Sequence, residues 1–174
     1  MALYALGDLH LSFGCPDRSM DHKGGVWRNH EEKIREHWIN TVREEDTIVL
    51  TGDFSHGKTE EELRPDFDFL LALPGRKIML RGNHDMFWDA KKTLKLNEKY
   101  EGKLFFLQNN HAIYNSGDRK YALVGTKGYC FENLDSLDHC LMLEEREADR
   151  LRKSFDSALS AGLDRFIVFL HYPP

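Results

Sequence analysis

A chain of 174 residues, 41% hydrophobic and 11% aromatic, is long enough for one domain with a real core. Its formal charge of -5 argues against a general nucleic-acid or anionic-membrane surface, and no stretch approaches a transmembrane span. The three cysteines, Cys15, Cys130 and Cys140, have no metal-type spacing, and the N-terminus has no basic n-region. Both features lead us to expect reduced, structural thiols in a cytoplasmic protein.

Ala2 to Leu6 is short, apolar and aromatic, is bounded by Gly7, and reads as a buried strand. Asp8 and His10 follow, two apart. In extended backbone residues i and i+2 point the same way, so carboxylate and imidazole can converge on one ion; a capping Asp beside a loop His is the plain alternative. Leu11 to Val26 is a Gly- and Pro-containing loop, long for a connection, where Arg18 and His22 face either a substrate or solvent. From Asn29, a plausible N-cap, a helical period sets Ile34, Trp38 and Val42 on one face, with His30 and His37 at the surface or boundary.

Asp46 to Thr51 is a second strand, and it ends at Gly52-Asp53. The apolar run, then Gly, then Asp repeats the first strand's design. The glycine admits close approach of backbone and ion, and the carboxylate is presented at the strand tip. His56, in the following loop, reads as solvated or as lying behind the ligands. Glu60 to Leu73 is a helix with Leu63, Phe67, Leu70 and Leu71 inward, and Pro65 within it predicts a late start or a kink.

The third strand, Lys77 to Leu80, stops at Arg81-Gly82, and Asn83, His84 and Asp85 follow at once. An amide oxygen, an imidazole and a carboxylate thus stand where a strand becomes a loop. In open α/β sheets ligands bind outside the carboxyl ends of the strands. Asp85 is also placed to cap a helix over Met86 to Lys99, with Lys91, Lys92 and Lys95 on a solvated face. The β-α-β-α-β-α order to this point predicts a parallel sheet with right-handed crossovers.

The pattern then changes. Lys103 to Leu107, His111 to Asn115 and Lys120 to Val124 are short strands close together, with a turn at Asn115-Ser116-Gly117-Asp118; they read as antiparallel members of a second sheet. Leu141 to Ala161 reads as a helix with Ala148, Leu151, Phe155 and Leu159 inward. Arg165 to Leu170 is a last apolar strand that ends at His171. No repeat, low-complexity segment or linker divides residues 1–174, so a single domain is expected. Asp8, His10, Asp53, Asn83, His84 and His171 all follow apolar strands. Carboxylate, amide oxygen and imidazole without cysteine suit divalent Mn, Fe, Co, Ni or Zn rather than Ca or a structural zinc knot.

Asp8-Leu9-His10, Gly52-Asp53, Gly82-Asn83-His84-Asp85 and the late His171 match, in order, the blocks of the calcineurin-like metallophosphoesterases. The segment Gly125-Thr126-Lys127-Gly128-Tyr129 resembles one in a bacterial branch of predicted phosphohydrolases. The resemblance covers essentially the whole chain. It implies an α/β fold of two facing sheets flanked by helices (αββα) and two divalent transition-metal ions. Asp8 and His10 would bind the first ion, Asp53 would bridge both, and Asn83 and His171 would bind the second. His84 would assist the leaving oxygen, and Asp85 would orient His84. The implied reaction is hydrolysis of a phosphoester substrate by a hydroxide that the two metals activate.

In the family a Gly-His-x-His block downstream of the position matching His171 supplies an imidazole to each metal. These 174 residues hold no such block. The resemblance therefore implies a site one imidazole short at each metal and a second sheet incomplete at the C-terminus, with His22 and His56 as the imidazoles left to stand in. A non-catalytic binding or scaffold protein on the same fold is the alternative. Monoester, diester, nucleotide and phosphoprotein substrates all stay open, with selectivity in the loops 11–26 and 126–140. Lys127 and Arg28 either neutralise phosphate or are ordinary surface charge.

Overall fold

Four short apolar runs line up side by side in the computed structural model, which describes residues 1–130 and 136–173. They are β1 (Leu3–Leu6), β2 (Thr47–Leu50), β3 (Arg76–Leu80) and β4 (Leu104–Leu107), parallel and in the order β1-β2-β3-β4. Helices α1 (His30–Thr41), α2 (Glu60–Ala72) and α3 (Thr93–Lys99) make the crossovers. A second sheet holds β5 (Ala112–Ser116), β6 (Arg119–Thr126) and β7 (Phe166–Leu170), with α4 (Leu137–Ser160) joining β6 to β7.

The period of two along each strand sorts the side chains into layers. Ile48, Leu50, Met79, Leu104 and Phe106 face Trp38, Leu63, Phe67 and Leu70 of α1 and α2. Their neighbours Val49, Ile78, Leu80 and Leu107 face Tyr114, Leu123 and Phe169 across the gap between the sheets. On the far side of the second sheet Ala122 and Val124 meet Ala158 and Leu163. The result is helix, sheet, sheet, helix, as the resemblance implied. No helix of the described residues is long and apolar enough to cross a membrane.

Several local expectations are corrected. Residues 104–107 do not join the second sheet; they pair parallel with β3, Ile78 opposite Phe105 and Leu80 opposite Leu107. The α3 crossover returns the chain in the same direction, which only a parallel pairing allows. β7 lies parallel to β6 because α4 crosses over between them, while β5 and β6 form the expected antiparallel hairpin. Its two-residue loop places Gly117 at φ +57°, as such loops require.

The helix expected over 86–99 is confined to α3. Asp89 Oδ1 accepts the N–H groups of Lys91 and Lys92, and this local bonding competes with a helix. Phe87 and Trp88 turn into the core instead, with Trp88 Nε1 donating to Thr93 Oγ1 at 3.0 Å. Helix α2 starts at Glu60 on a Thr59–Glu62 capping box and runs through Pro65. Asn29 stands at the start of α1 at φ +53° and makes no side-chain cap.

On α4, Ala148 and Leu159 are exposed and Leu151 and Phe155 half-buried; Cys140, Glu147, Ser154 and Ala158 point inward. Polar groups along β6 decide this. Thr126 donates its hydroxyl proton to Glu147 at 2.6 Å, Gly125 N–H donates to Ser154 Oγ at 3.3 Å, and Ser154 in turn donates to the Asn110 carbonyl. An apolar face would leave these groups unpaired. Of the loop 126–140, residues 131–135 lie outside the described residues.

Candidate metal centre

The chain carries the pairing of β1 and β2 past their ends. Asp8 N–H donates to Gly52 O at 3.0 Å, His10 N–H to Asp53 O at 2.9 Å and Leu11 N–H to Phe54 O at 2.9 Å. The two tips therefore stay adjacent as they leave the sheet. Asp8, His10 and Asp53 sit at φ +59°, +44° and +54°. Left-handed backbone is unfavourable for such residues, and it is held here by surrounding bonds, a pattern typical of functional sites.

Two glycines make the convergence possible. Gly52 is at φ +115°, and a Cβ there would stand 2.6 Å from His171 Nδ1 and 2.7 Å from Gly82 Cα. A Cβ on Gly82 would fall on Asp53 Oδ1 and the Asp53 backbone nitrogen. Bare backbone at both tips lets β2 and β3 close on one carboxylate.

Asp85 is fully buried beneath them. Its carboxylate accepts N–H groups from Gly82 (2.7 Å), Asp53 (2.9 Å) and Phe54 (2.9 Å). Burial pushes its carboxyl up to about 6 against the downward pull of those donors. Its side-chain hydrogen bonds go to backbone, so the expected cap is corrected: Asp85 does not cap α3, whose first flanking residue is Lys92. It fixes Asp53 instead.

Asp53 is 3% exposed and lies at the middle of the group. Its Oδ1 accepts His84 N–H at 2.8 Å. Its Oδ2 lies 3.8 Å from His10 Nε2, 3.7 Å from His171 Nε2 and 4.0 Å from His84 Nε2. Asp8 Oδ1 is 3.4 Å from His10 Nε2, and Asn83 Oδ1 is 2.8 Å from His171 Nε2. Oxygen and nitrogen atoms of Asp8, Asp53 and His171 all lie within 4.8 Å of one another. All seven residues expected at the site thus share one locality, with Asp8, His10, Asn83, His84 and His171 around the Asp53 carboxylate and Asp85 under it.

Hydrogen bonding fixes the imidazole tautomers. A backbone carbonyl only accepts, so His171 Nδ1 donates to Thr51 O (3.0 Å); in the neutral ring the lone pair then falls on Nε2 and faces Asn83 Oδ1 (2.8 Å), two acceptors that a shared cation would reconcile. In the same way His56 Nδ1 donates to Arg18 O (2.8 Å), so its Nε2 accepts from His10 Nδ1 (2.9 Å) and the lone pair of His10 falls on Nε2. Burial lowers the affinity of His10 for a proton, against the pull of Asp53 and Asp8, and burial also lowers that of His56. Two lone pairs therefore face the Asp53 and Asp8 carboxylates. Imidazoles held from behind by a hydrogen bond, His171 by a carbonyl and His10 by His56, and aimed at carboxylates are the donor arrangement that fits divalent cations.

His56 was read as solvated or lying behind the ligands; it holds His10. No spacing from Asp53 pointed to it, because the contact spans 46 residues. Trp27, whose ring centroid is 5.8 Å from that of His10, was also missed. His84 is exposed and stands at the rim of a groove of about 730 Å³, which is lined among others by Arg18, His22, Trp27, His56 and Met86. Arg18 itself is engaged by Glu62 and the His56 carbonyl. Lys127 is stacked over the Tyr172 ring at 5.3 Å, and burial lowers its pKa.

Comparison with known proteins agrees with this geometry. The chain is 33% identical over 93 residues to the gene 66 protein of Mycobacterium phage D29, a match that takes in 51% of this chain and 45% of the phage protein. A second match, to the gene 66 protein of Mycobacterium phage L5, is 32% identical over 56 residues, 32% of this chain and 27% of the relative. The matched part is thus less than half of either phage protein. Among solved structures, the phosphopantetheinyl hydrolase PptH of Mycobacterium tuberculosis superposes with a TM-score of 0.55 at 13% identity, covering 98% of this chain and 68% of the other. At that identity the likeness is one of fold. The family model described as calcineurin-like phosphoesterase matches residues 1–174. A match of that extent decides kinship for the whole sequence: the chain belongs to the calcineurin-like phosphoesterase family.

Proposed function

We propose that the protein is a metal-dependent phosphohydrolase. Asp8, His10 and Asp53 would hold one divalent cation, and Asp53, Asn83 and His171 a second. The observation that carries this reading is the position of Asp53 Oδ2, 3.8 Å and 3.7 Å from two imidazole nitrogens that both bear lone pairs. Lone pair against carboxylate is repulsive from both sides, and a cation on each side turns both contacts attractive. When bound, such a pair of ions clamps a phosphoryl group and lowers the pKa of a water.

The chain's own residues have separate tasks. Asp53 supplies the shared anion, and Asp85 holds it in place through the backbone. His84, with its side chain 54% exposed and its ring 5.4 Å from that of His10, is positioned to hold a proton against the leaving oxygen of a substrate in the groove. No Ser or Cys nucleophile is required. We place the protein in the cytoplasm, where thiols such as the buried Cys15 and the exposed Cys130 stay reduced.

The test is metal content together with hydrolysis of an aryl phosphate monoester and diester by the chain and by Asp53→Asn. The expected result is divalent metal and turnover in the parent, with turnover and the metal of the Asp53 centre lost in the variant. Near-normal turnover by Asp53→Asn would refute the bridging role. Metal uptake with no hydrolysis of either ester would favour a binding protein.

A further inference from the structure

We infer that Asp21, His30 and Glu31 form a further divalent-cation site, separate from the centre around Asp53. His30, expected at the surface or boundary, is 5% exposed. Its Nε2 lies 3.1 Å from Leu9 O, so that nitrogen carries the proton and donates it. The lone pair is therefore on Nδ1, which is buried and has no hydrogen-bond partner. Two carboxylates approach this same nitrogen, Glu31 Oε2 at 3.0 Å and Asp21 Oδ1 at 4.0 Å. One ligand atom from each of the three residues lies within 4.8 Å of the others.

A lone pair facing two carboxylate oxygens is repulsive as it stands. No hydrogen bond joins Nδ1 to either oxygen, and a divalent cation among the three groups makes every contact attractive. Atoms bound to one first-row ion at about 2.0–2.2 Å lie roughly 3–4 Å apart, which these separations meet with little adjustment. One imidazole and two carboxylates without thiolate suit Zn, Mn or Co. His30 also has the usual support of a metal-bound histidine, its second nitrogen donating to a backbone carbonyl. Asn29 N–H donates to Asp21 Oδ1 at 2.6 Å and holds that carboxylate in place. The half-exposed Asp21 leaves the remaining coordination positions to water.

A cation here would pin the 3₁₀ turn Met20–Lys23 to the first turn of α1. Trp27 lies between this site and the Asp53 centre, its ring 5.5 Å from that of His30 and 5.8 Å from that of His10. The ion would thus set the wall of the groove that Met20, His22, Lys23 and Trp27 line. It would position that wall and take no part in bond breaking.

Equilibrium dialysis of the chain against Co²⁺, with elemental analysis and Trp fluorescence, tests this. The expected outcome is that Asp53→Asn retains one equivalent, whose binding alters Trp emission. The double variant Asp21→Asn/Glu31→Gln should lose that equivalent, its affinity falling by about tenfold or more. His30→Gln should do the same, and circular dichroism of all variants should match the parent. Unchanged stoichiometry and affinity in both the double variant and His30→Gln would overturn the site, as would loss of all binding in Asp53→Asn alone. Loss of the equivalent in the double variant with no effect of Asp53→Asn would support this site and count against the Asp53 centre.

Discussion

Asp85 accepts the backbone N–H of Asp53 at 2.9 Å, and so a residue that touches no expected ligand side chain sets where the central carboxylate stands. With its bonds to Phe54 and Gly82 it ties the tip of β2 to that of β3. Removing it leaves three buried donors unpaired, each costing about 1–3 kcal/mol. Asp85→Ala should lower stability by about 3 kcal/mol or more in urea unfolding. Asp85→Asn, which keeps one acceptor oxygen, should lose less.

Gly52 separates backbone conformation from steric clash. Gly52→Ala places a Cβ 2.6 Å from His171 Nδ1 on top of an unfavourable φ of +115°, whereas Gly102, at φ +74°, has nothing within 4 Å of its Cβ position. Gly102→Ala should cost about 1 kcal/mol for the left-handed backbone alone. Gly52→Ala should cost clearly more, and by displacing His171 from Thr51 O it should also weaken metal binding. Thermal unfolding and metal titration of the two variants measure the difference.

His56 acts on His10 through one hydrogen bond. His56→Phe removes the acceptor that places the proton of His10 on Nδ1. Metal affinity at the Asp53 centre should fall about 10–100-fold with little change in secondary structure. Burial already holds both imidazoles below their ordinary 6.5, so both are uncharged at pH 7. Metal uptake by the parent should be flat above pH 7 and fall only below 6.5, where protons begin to compete; isothermal titration across that range reports it.

Asp46 gives an acid-stability prediction. Ala2 N–H at 2.5 Å and Arg43 N–H at 3.0 Å hold its carboxyl below its ordinary 3.8. A carboxyl depressed in the folded chain stabilises above the unfolded value, and that contribution is lost as pH falls through the folded one. Asp46→Asn should therefore be less stable than the parent at pH 7. The gap should narrow below about pH 4 as the parent's Asp46 takes up its proton. Urea unfolding at a series of pH values checks it.

Apolar runs and turn chemistry were enough to place the strands of the described residues and to name the tips that carry Asp8, His10, Asp53, Asn83, His84 and His171, because both are properties of neighbouring residues; the layers were implied by the family resemblance. The partner of β4 was not local: its four residues fit either sheet until the α3 crossover settles their direction. The inward face of α4 followed polar groups on β6 that no helical period contains, and Ala148 and Leu159 were misplaced for that reason. Within the site, the roles of Asp85, His56 and His30 depend on contacts with residues 21 to 46 positions away. Local order in the chain settles which side chains leave each strand. Only packing settles which backbone carbonyl or amide each one meets, and those meetings place the protons of His10, His56 and His171.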